Sequence, residues 1–293
     1  MKKWGLWIMV FTVLASCSDK KGQLPDTGIE YALLLKPAIL SVLSKAESEM
    51  QYLPKNTELG VYALDDNEQN PATGDNRRNV LYRVTDEEGS ISSLSPTLLE
   101  KGHSYHVFAY APIQATAPED NTILTVRHGE DILYAAPTPL AQVSENNHVA
   151  SLQFTHRMAQ IQFVLVPAQG LNEKYLKGAI FEISGFYESA HLNLKSGTMS
   201  AFSEQTATVR NLPDQLQTES ICVIPDIKAQ TLIITLTTDK KGKQTKIFDF
   251  HLESGKSYQF SILYNSALDL EITTSVNLWK EMNGGNITIG GGK

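Results

Sequence analysis

Apolar and polar positions alternate along much of this chain with the two-residue period of a half-buried strand. Gln160-Ile161-Gln162-Phe163 opens in this way before the apolar positions run together in Val164-Leu165-Val166. β-Branched and aromatic residues gather into short segments at 29–35, 58–64, 80–84, 104–110, 122–126, 152–166, 179–186, 221–224, 231–237, 246–252, 257–264 and 270–278. Gly, Pro, Asn and Asp separate them and mark turns. No segment sustains the 3.6-residue apolar stripe of an amphipathic helix for more than a few turns, and 37–49 is the best helical candidate. Many short strands between turn signals predict an all-β chain of the antiparallel sandwich class.

The first residues break this pattern. Lys2 and Lys3 precede a continuous apolar run from Trp4 to Leu14, which is too short for a spanning helix. A charged start, an apolar core and small residues before a cut form a secretory signal. Leu14-Ala15-Ser16-Cys17 resembles a bacterial lipobox. That resemblance implies that residues 1–16 are removed and that Cys17 becomes the lipid attachment site, carrying a thioether-linked diacylglycerol and usually an N-acyl chain. Ser18 to Thr27 are polar and include Gly22 and Pro25, as a tether between lipid and fold would.

Charge and cysteine content narrow the function classes. The formal net charge is −7, and losing Lys2 and Lys3 with the signal makes it more negative by two. An acidic chain lacks the basic face that nucleic acid requires, and it would not dock electrostatically on an anionic membrane. Once Cys17 is acylated, Cys222 is the one remaining thiol, so stability must come from buried cores and not from a disulfide. Cys222 lies in Ile221-Cys222-Val223-Ile224 and reads as a small buried strand residue.

There is no G-x-S-x-G elbow, no H-E-x-x-H, no Walker A and no dinucleotide fingerprint. His103 and His106 fall in one predicted strand, where an odd spacing places the rings on opposite faces and disfavours a shared metal. His156 beside Arg157 reads as a hydrogen-bonded structural histidine, with a binding role as the alternative. Asp65-Asp66-Asn67-Glu68 lacks the glycine and spacing of an EF-hand and reads as a solvated hairpin loop. No catalytic residue, cofactor site or metal site is assigned.

Leu99-Glu100-Lys101-Gly102-His103-Ser104-Tyr105 echoes Leu252-Glu253-Ser254-Gly255-Lys256-Ser257-Tyr258, about half a mature chain away. Each is a glycine turn followed by a strand that Tyr opens. Duplication would divide the chain into a signal peptide at 1–16, a lipidated tether at 17–28, and sandwich domains at 29–147 and 148–293.

Several segments then line up in order. Leu59-Gly60-Val61-Tyr62 is followed by Tyr105-His106-Val107-Phe108-Ala109-Tyr110-Ala111-Pro112 and by Asp131-Ile132-Leu133-Tyr134-Ala135. Phe154-Thr155-His156-Arg157-Met158-Ala159-Gln160-Ile161 and Gly255-Lys256-Ser257-Tyr258 complete the series, with Trp279 near the end. Together with the lipobox this order resembles the fimbrillin family, the Mfa-like or type V pilus group of diderm anaerobes. The resemblance implies two tandem transthyretin-like antiparallel β-sandwich domains. It also implies export as a lipoprotein to the outer membrane, where members build surface fimbriae that contribute to adhesion. Assembly in the family follows proteolytic removal of the first strand, often by an Arg-specific protease. The groove left behind accepts a strand from another subunit.

This chain departs from that pattern. The family's cleavage segment is Thr-Arg-Ala-like, whereas the matching residues here are Ser44-Lys45-Ala46, and no Arg occurs between Cys17 and Asn76. Lys45 and Ala46 are therefore the candidate processing residues for a protease of different specificity. A subunit left uncut would keep its first strand and its lipid, as an anchor does. The partners expected are other fimbrial subunits and, through the Cys17 lipid, the outer membrane. A monomeric surface lipoprotein that binds glycan or another ligand is the alternative. The tail Gly284–Lys293 reads either as a donor strand or as a frayed end.

Overall fold

The computed structural model describes residues 28–36, 39–40, 51–65, 77–114, 122–169, 176, 179–200, 202–203, 206–211, 216–225, 230–238, 242–264 and 270–278. Among these residues there are strands and turns but no helix. The largest sheet has eight strands. Its order is β4 (Gln51–Tyr52), β3 (Ile39–Leu40), β13 (Gln153–His156), β11 (Leu133–Leu140), β9 (Tyr105–Ala111), β5 (Glu58–Asp65), β6 (Val80–Val84) and β7 (Ile91–Ser92). Two short pairs complete this half, β1 (Glu30–Ala32) with β8 (Leu98–Glu100) and β2 (Leu34–Leu35) with β12 (Val149–Ala150).

Two four-stranded sheets form the other half. One runs β19 (Ile221–Val223), β14 (Ala159–Pro167), β22 (Lys256–Tyr264), β23 (Leu270–Leu278). The other runs β18 (Thr206–Asn211), β15 (Ile180–Tyr187), β20 (Gln230–Thr238), β21 (Gly242–Phe250). A three-stranded sheet joins the halves: β10 (Ile123–Arg127) pairs along its whole length with β16 (Ser189–Asn193), which also carries β17 (Met199–Ser200).

The strands sort their side chains into three cores. The first takes in apolar residues from Leu33 to Phe154, the last of them, Ala150, Leu152 and Phe154, following residue 147. The second spans Ala159 to Leu270 and is rich in rings, with Phe163 stacked on Phe260 at 5.0 Å. The third draws from both halves: Tyr62, Phe108, Tyr110 and Tyr134 meet Leu192, Leu194 and Ile224.

Three departures from the sequence reading have physical causes. Ile39 and Leu40, inside the helical candidate, are a strand whose backbone pairs with β13 and β4, so tertiary pairing overrides a weak helical pattern; 41–49 lies outside the described residues. The ladders β14–β22, β12–β2 and β13–β3 are parallel within an otherwise antiparallel fold. In β14–β22 the register explains the direction. Ile161 faces Tyr258, Phe163 faces Phe260 and Leu165 faces Ile262. On the other face Ser257 donates to Gln160 (2.9 Å) and Gln259 donates to Gln162 (3.2 Å). Parallel register therefore matches apolar to apolar and polar to polar at once. Finally, His103 precedes β9 in a turn, so the two-residue alternation never relates it to His106.

Candidate functional site

The segment 29–36 runs as a strand through two walls of the first half. Adjacent backbone N–H groups of a strand point to opposite sides. Here Leu33 N–H donates to Thr97 O at 2.8 Å, while Leu34 N–H donates to His148 O at 3.0 Å and Lys36 N–H to Ala150 O at 2.8 Å. At the start of the segment Lys101 N–H donates to Ile29 O at 2.7 Å. The antiparallel β1–β8 ladder lies on one side and the parallel β2–β12 ladder on the other. Further along, β3 runs parallel to β13, so residues 34–35 and 39–40 lie beside 149–150 and 153–154.

Side chains lock the segment. Leu33 is 1% exposed and belongs to the first core, and Tyr31 and Leu35 pack against that core. The Tyr31 ring stacks on His148 with centroids 5.6 Å apart. Buried Tyr82 donates its hydroxyl to Leu33 O at 3.2 Å and accepts the Thr97 N–H at 3.0 Å, tying the segment to one wall. Burial raises the Tyr82 pKa, with the two Thr97 hydrogen bonds opposing, so the hydroxyl stays neutral and able to donate. Outside the slot, Leu34 and Val149 are neighbours in the ladder and both are exposed.

The residues singled out in the sequence fall in different places. Cys17, Lys45 and Ala46 lie outside the described residues, as do Asp66, Asn67, Glu68, Trp279 and the tail 284–293. Asp65 is not in a solvated loop: it ends β5, is 7% exposed and meets His103 Nδ1 at 2.7 Å. That hydrogen bond, with a smaller contribution from Glu100, raises the His103 pKa against partial desolvation. His156 is a buried, hydrogen-bonded histidine, its Nδ1 2.9 Å from Asp131. Burial and nearby Asp131 push the Cys222 thiol up to about 12, which leaves it protonated and unreactive at neutral pH. The described residues contain no cluster of three or more His, Cys, Asp or Glu side chains placed to hold a metal ion. They also contain no helix long and apolar enough to cross a membrane.

A cleft of about 1060 Å³ lies where β11, β13, the β16–β17 turn and the β21–β22 turn converge. Arg157 is its central side chain. The guanidinium sits over the Tyr134 ring at 5.7 Å and donates Nη2 to Gly197 O. Tyr134 in turn donates to Leu194 O at 3.0 Å. Gly197, at φ +69°, lies so close to this ring that a Cβ would come within 2.7 Å of it, so only glycine fits. Ser254 Oγ donates to Arg157 O at 3.0 Å from the opposite side. His156 and Arg157 are adjacent in the chain, yet the structure sends the two side chains to separate tasks. Tyr82, Thr97, Ala150 and Gly197 carried no sequence signal, because each acts through a contact far away in the chain.

The profile of the family described as fimbrillin-like matches residues 46–279. No curated protein matches the sequence. Among solved structures, a candidate cell adhesion protein from Bacteroides ovatus ATCC 8483 superposes with TM-score 0.65 at 14% identity, covering 87% of this chain and 100% of that one. A second candidate cell adhesion protein, from Bacteroides uniformis ATCC 8492, gives 0.62 at 19% identity over 85% of this chain and 99% of its own. A fimbrial assembly protein from Parabacteroides distasonis ATCC 8503 gives 0.51 at 13% identity, with 85% and 99% coverage. At these identities the likeness is one of fold.

Proposed function

The chain belongs to the fimbrillin-like family, and from that premise we propose that it is a structural subunit of a cell-surface fimbrium, assembled by strand exchange and contributing to adhesion. The observation that carries this function is the first strand, held between two backbone walls with Leu33 in the core. Its departure would strand Thr97 O, His148 O, Ala150 O and the Lys101 N–H and would open an apolar hole. An incoming strand that offers N–H and C=O groups in register, with an apolar side chain at the Leu33 position, would refill both. Burying one such side chain contributes about 1.5–3 kcal/mol. Head-to-tail exchange uses two different surfaces and therefore propagates.

Lys45 and Ala46 are the processing residues in this scheme, and the family match itself begins at Ala46. A cut between them detaches 17–45, which carries β1, β2, β3 and the lipid on Cys17. Cys17 is then an export tether to the outer membrane. The tandem transthyretin-like arrangement belongs to the same proposal, and catalysis, cofactors and nucleic acid have no part in it.

N-terminal sequencing of the surface-extracted protein, with labelled palmitate and denaturing gels of outer membranes, tests it. A mature N-terminus at Ala46 with SDS-resistant ladders is expected. Palmitate retained on a full mature chain within such ladders would make this subunit an anchor. Protein that stays monomeric after protease exposure would overturn the fimbrial role.

A further inference from the structure

Arg157 poses a problem that strand exchange does not solve. A guanidinium is charged at every accessible pH, and burying one without an anion is costly. Among the described residues its buried Nε has no hydrogen-bond partner, and no carboxylate lies within 4.0 Å of the side chain. What it does have, the Tyr134 face and one backbone carbonyl, orients the charge without neutralising it. Arg157 lines this cleft and is the one permanent cation among its described lining residues.

The rest of the lining defines what could satisfy that charge. Gln153, Thr155, Ser196 and Thr198 surround it with neutral amide and hydroxyl groups, suited to a ligand bearing many hydroxyls. Glu253 and His251 are exposed at the rim. One cation with one acid at the rim fits a singly charged carboxylate better than a phosphate dianion. The volume, about 1060 Å³, lies just above the roughly 300–1,000 Å³ range of small-molecule sites, enough for a few sugar rings. A peptide has less to hold it here in the uncut chain, since β13 is paired on both sides by β3 and β11 and offers no free edge for strand addition.

We propose that this cleft is a binding site for an acidic saccharide, with a uronic-acid carboxylate seated on the Arg157 guanidinium and the neutral side chains reading the sugar hydroxyls. The site is built from both halves of the chain, and none of its lining residues belongs to the first-strand segment, although β13 on its wall pairs with β3.

Calorimetric titration of the full mature chain with trigalacturonate, using maltotriose as the neutral control, tests the proposal. Trigalacturonate should bind at least roughly tenfold more tightly than maltotriose, and added salt should weaken it. Arg157→Gln should weaken it roughly tenfold or more, the size expected for losing a charge-assisted hydrogen bond, with Arg157→Lys recovering part of the loss. If Arg157→Gln fails to fold, Ser151→Trp places bulk on an exposed wall of the cleft and should block binding without touching a core. Equal affinity for the two trisaccharides, no binding of either, or binding indifferent to both substitutions would each overturn the proposal. So would trialanine, with its C-terminal carboxylate, binding as tightly as trigalacturonate.

Discussion

Tyr82 links the first strand to its wall through a single oxygen, which makes it the most sensitive point for testing how tightly that strand is held. Tyr82→Phe keeps the ring in the core but removes the donor to Leu33 O and the acceptor of the Thr97 N–H. A loss of about 1–3 kcal/mol is expected for two buried hydrogen bonds, and hydrogen exchange should rise selectively at Leu33 and Thr97. Uniform change across the molecule would show that the hydroxyl does not act on the strand. Two histidines should give opposite pH slopes. His103 has a raised pKa, so its contribution is complete below the ordinary histidine value near 6.5 and fades as pH rises through the raised value. Burial lowers the His128 pKa against a weaker opposing pull from Glu188. Stability is therefore lost as pH falls from the ordinary value toward the lowered one. Thermal melts between pH 5 and 8 should show His103→Gln removing the first dependence and His128→Gln the second, with His103 the smaller because its side chain is 48% exposed. At this scale the sequence showed which residues carry polar chemistry, as with His156 hydrogen-bonding Asp131. It did not show partners, because Asp65 and His103, or Tyr82 and Leu33, are joined only when distant strands pair.

Elements were far more legible, and the repeated turn shows why. In both copies a glycine at positive φ, Gly102 at +82° and Gly255 at +70°, follows Glu-x. In both, the Glu N–H donates to the hydroxyl of the Tyr five residues on, at 3.1 Å from Glu100 to Tyr105 and 2.8 Å from Glu253 to Tyr258. A local motif encodes its own geometry, so the sequence alone reveals it. The surroundings then diverge: β9 has antiparallel neighbours on both sides, whereas β22 lies parallel to β14. Nothing local specifies those neighbours, which is why the parallel β14–β22 ladder was missed although both of its strands lie in the segments marked at 152–166 and 257–264. If the turn is the shared unit, Tyr105→Phe and Tyr258→Phe should each destabilise by a similar amount, about 0.5–1.5 kcal/mol, in chemical denaturation. A large cost at one position and none at the other would mean that the surrounding sheet decides what the hydroxyl is worth.

At the scale of the molecule, the third core decides whether the halves can act independently. Sequence duplication would divide the chain at 147, and alternation along each strand foretold that both parts would bury apolar faces. It could not foretell that some of those faces would be buried against each other. Tyr62, Phe108 and Tyr134 from one half enclose Leu192 and Leu194 from the other, and β10–β16 pairing runs a backbone ladder across the join. A fragment ending at 147 would lose Leu152 and Phe154 from its own core and expose the faces that Leu192 covers. The mature chain should therefore melt in one calorimetric transition, and fragments 29–147 and 148–293 made separately should not fold. Leu192→Ala, a cavity at the shared core, should cost about 2–5 kcal/mol and lower that single transition without splitting it. Two resolved transitions, with only the second moved by Leu192→Ala, would show that the halves are mechanically separate. A joined molecule also bears on the proposed exchange of the first strand. Loss of 29–40 opens the first core only, while the second core and the β10–β16 ladder stay closed. The rest of the subunit would then hold the slot in shape until another strand enters it.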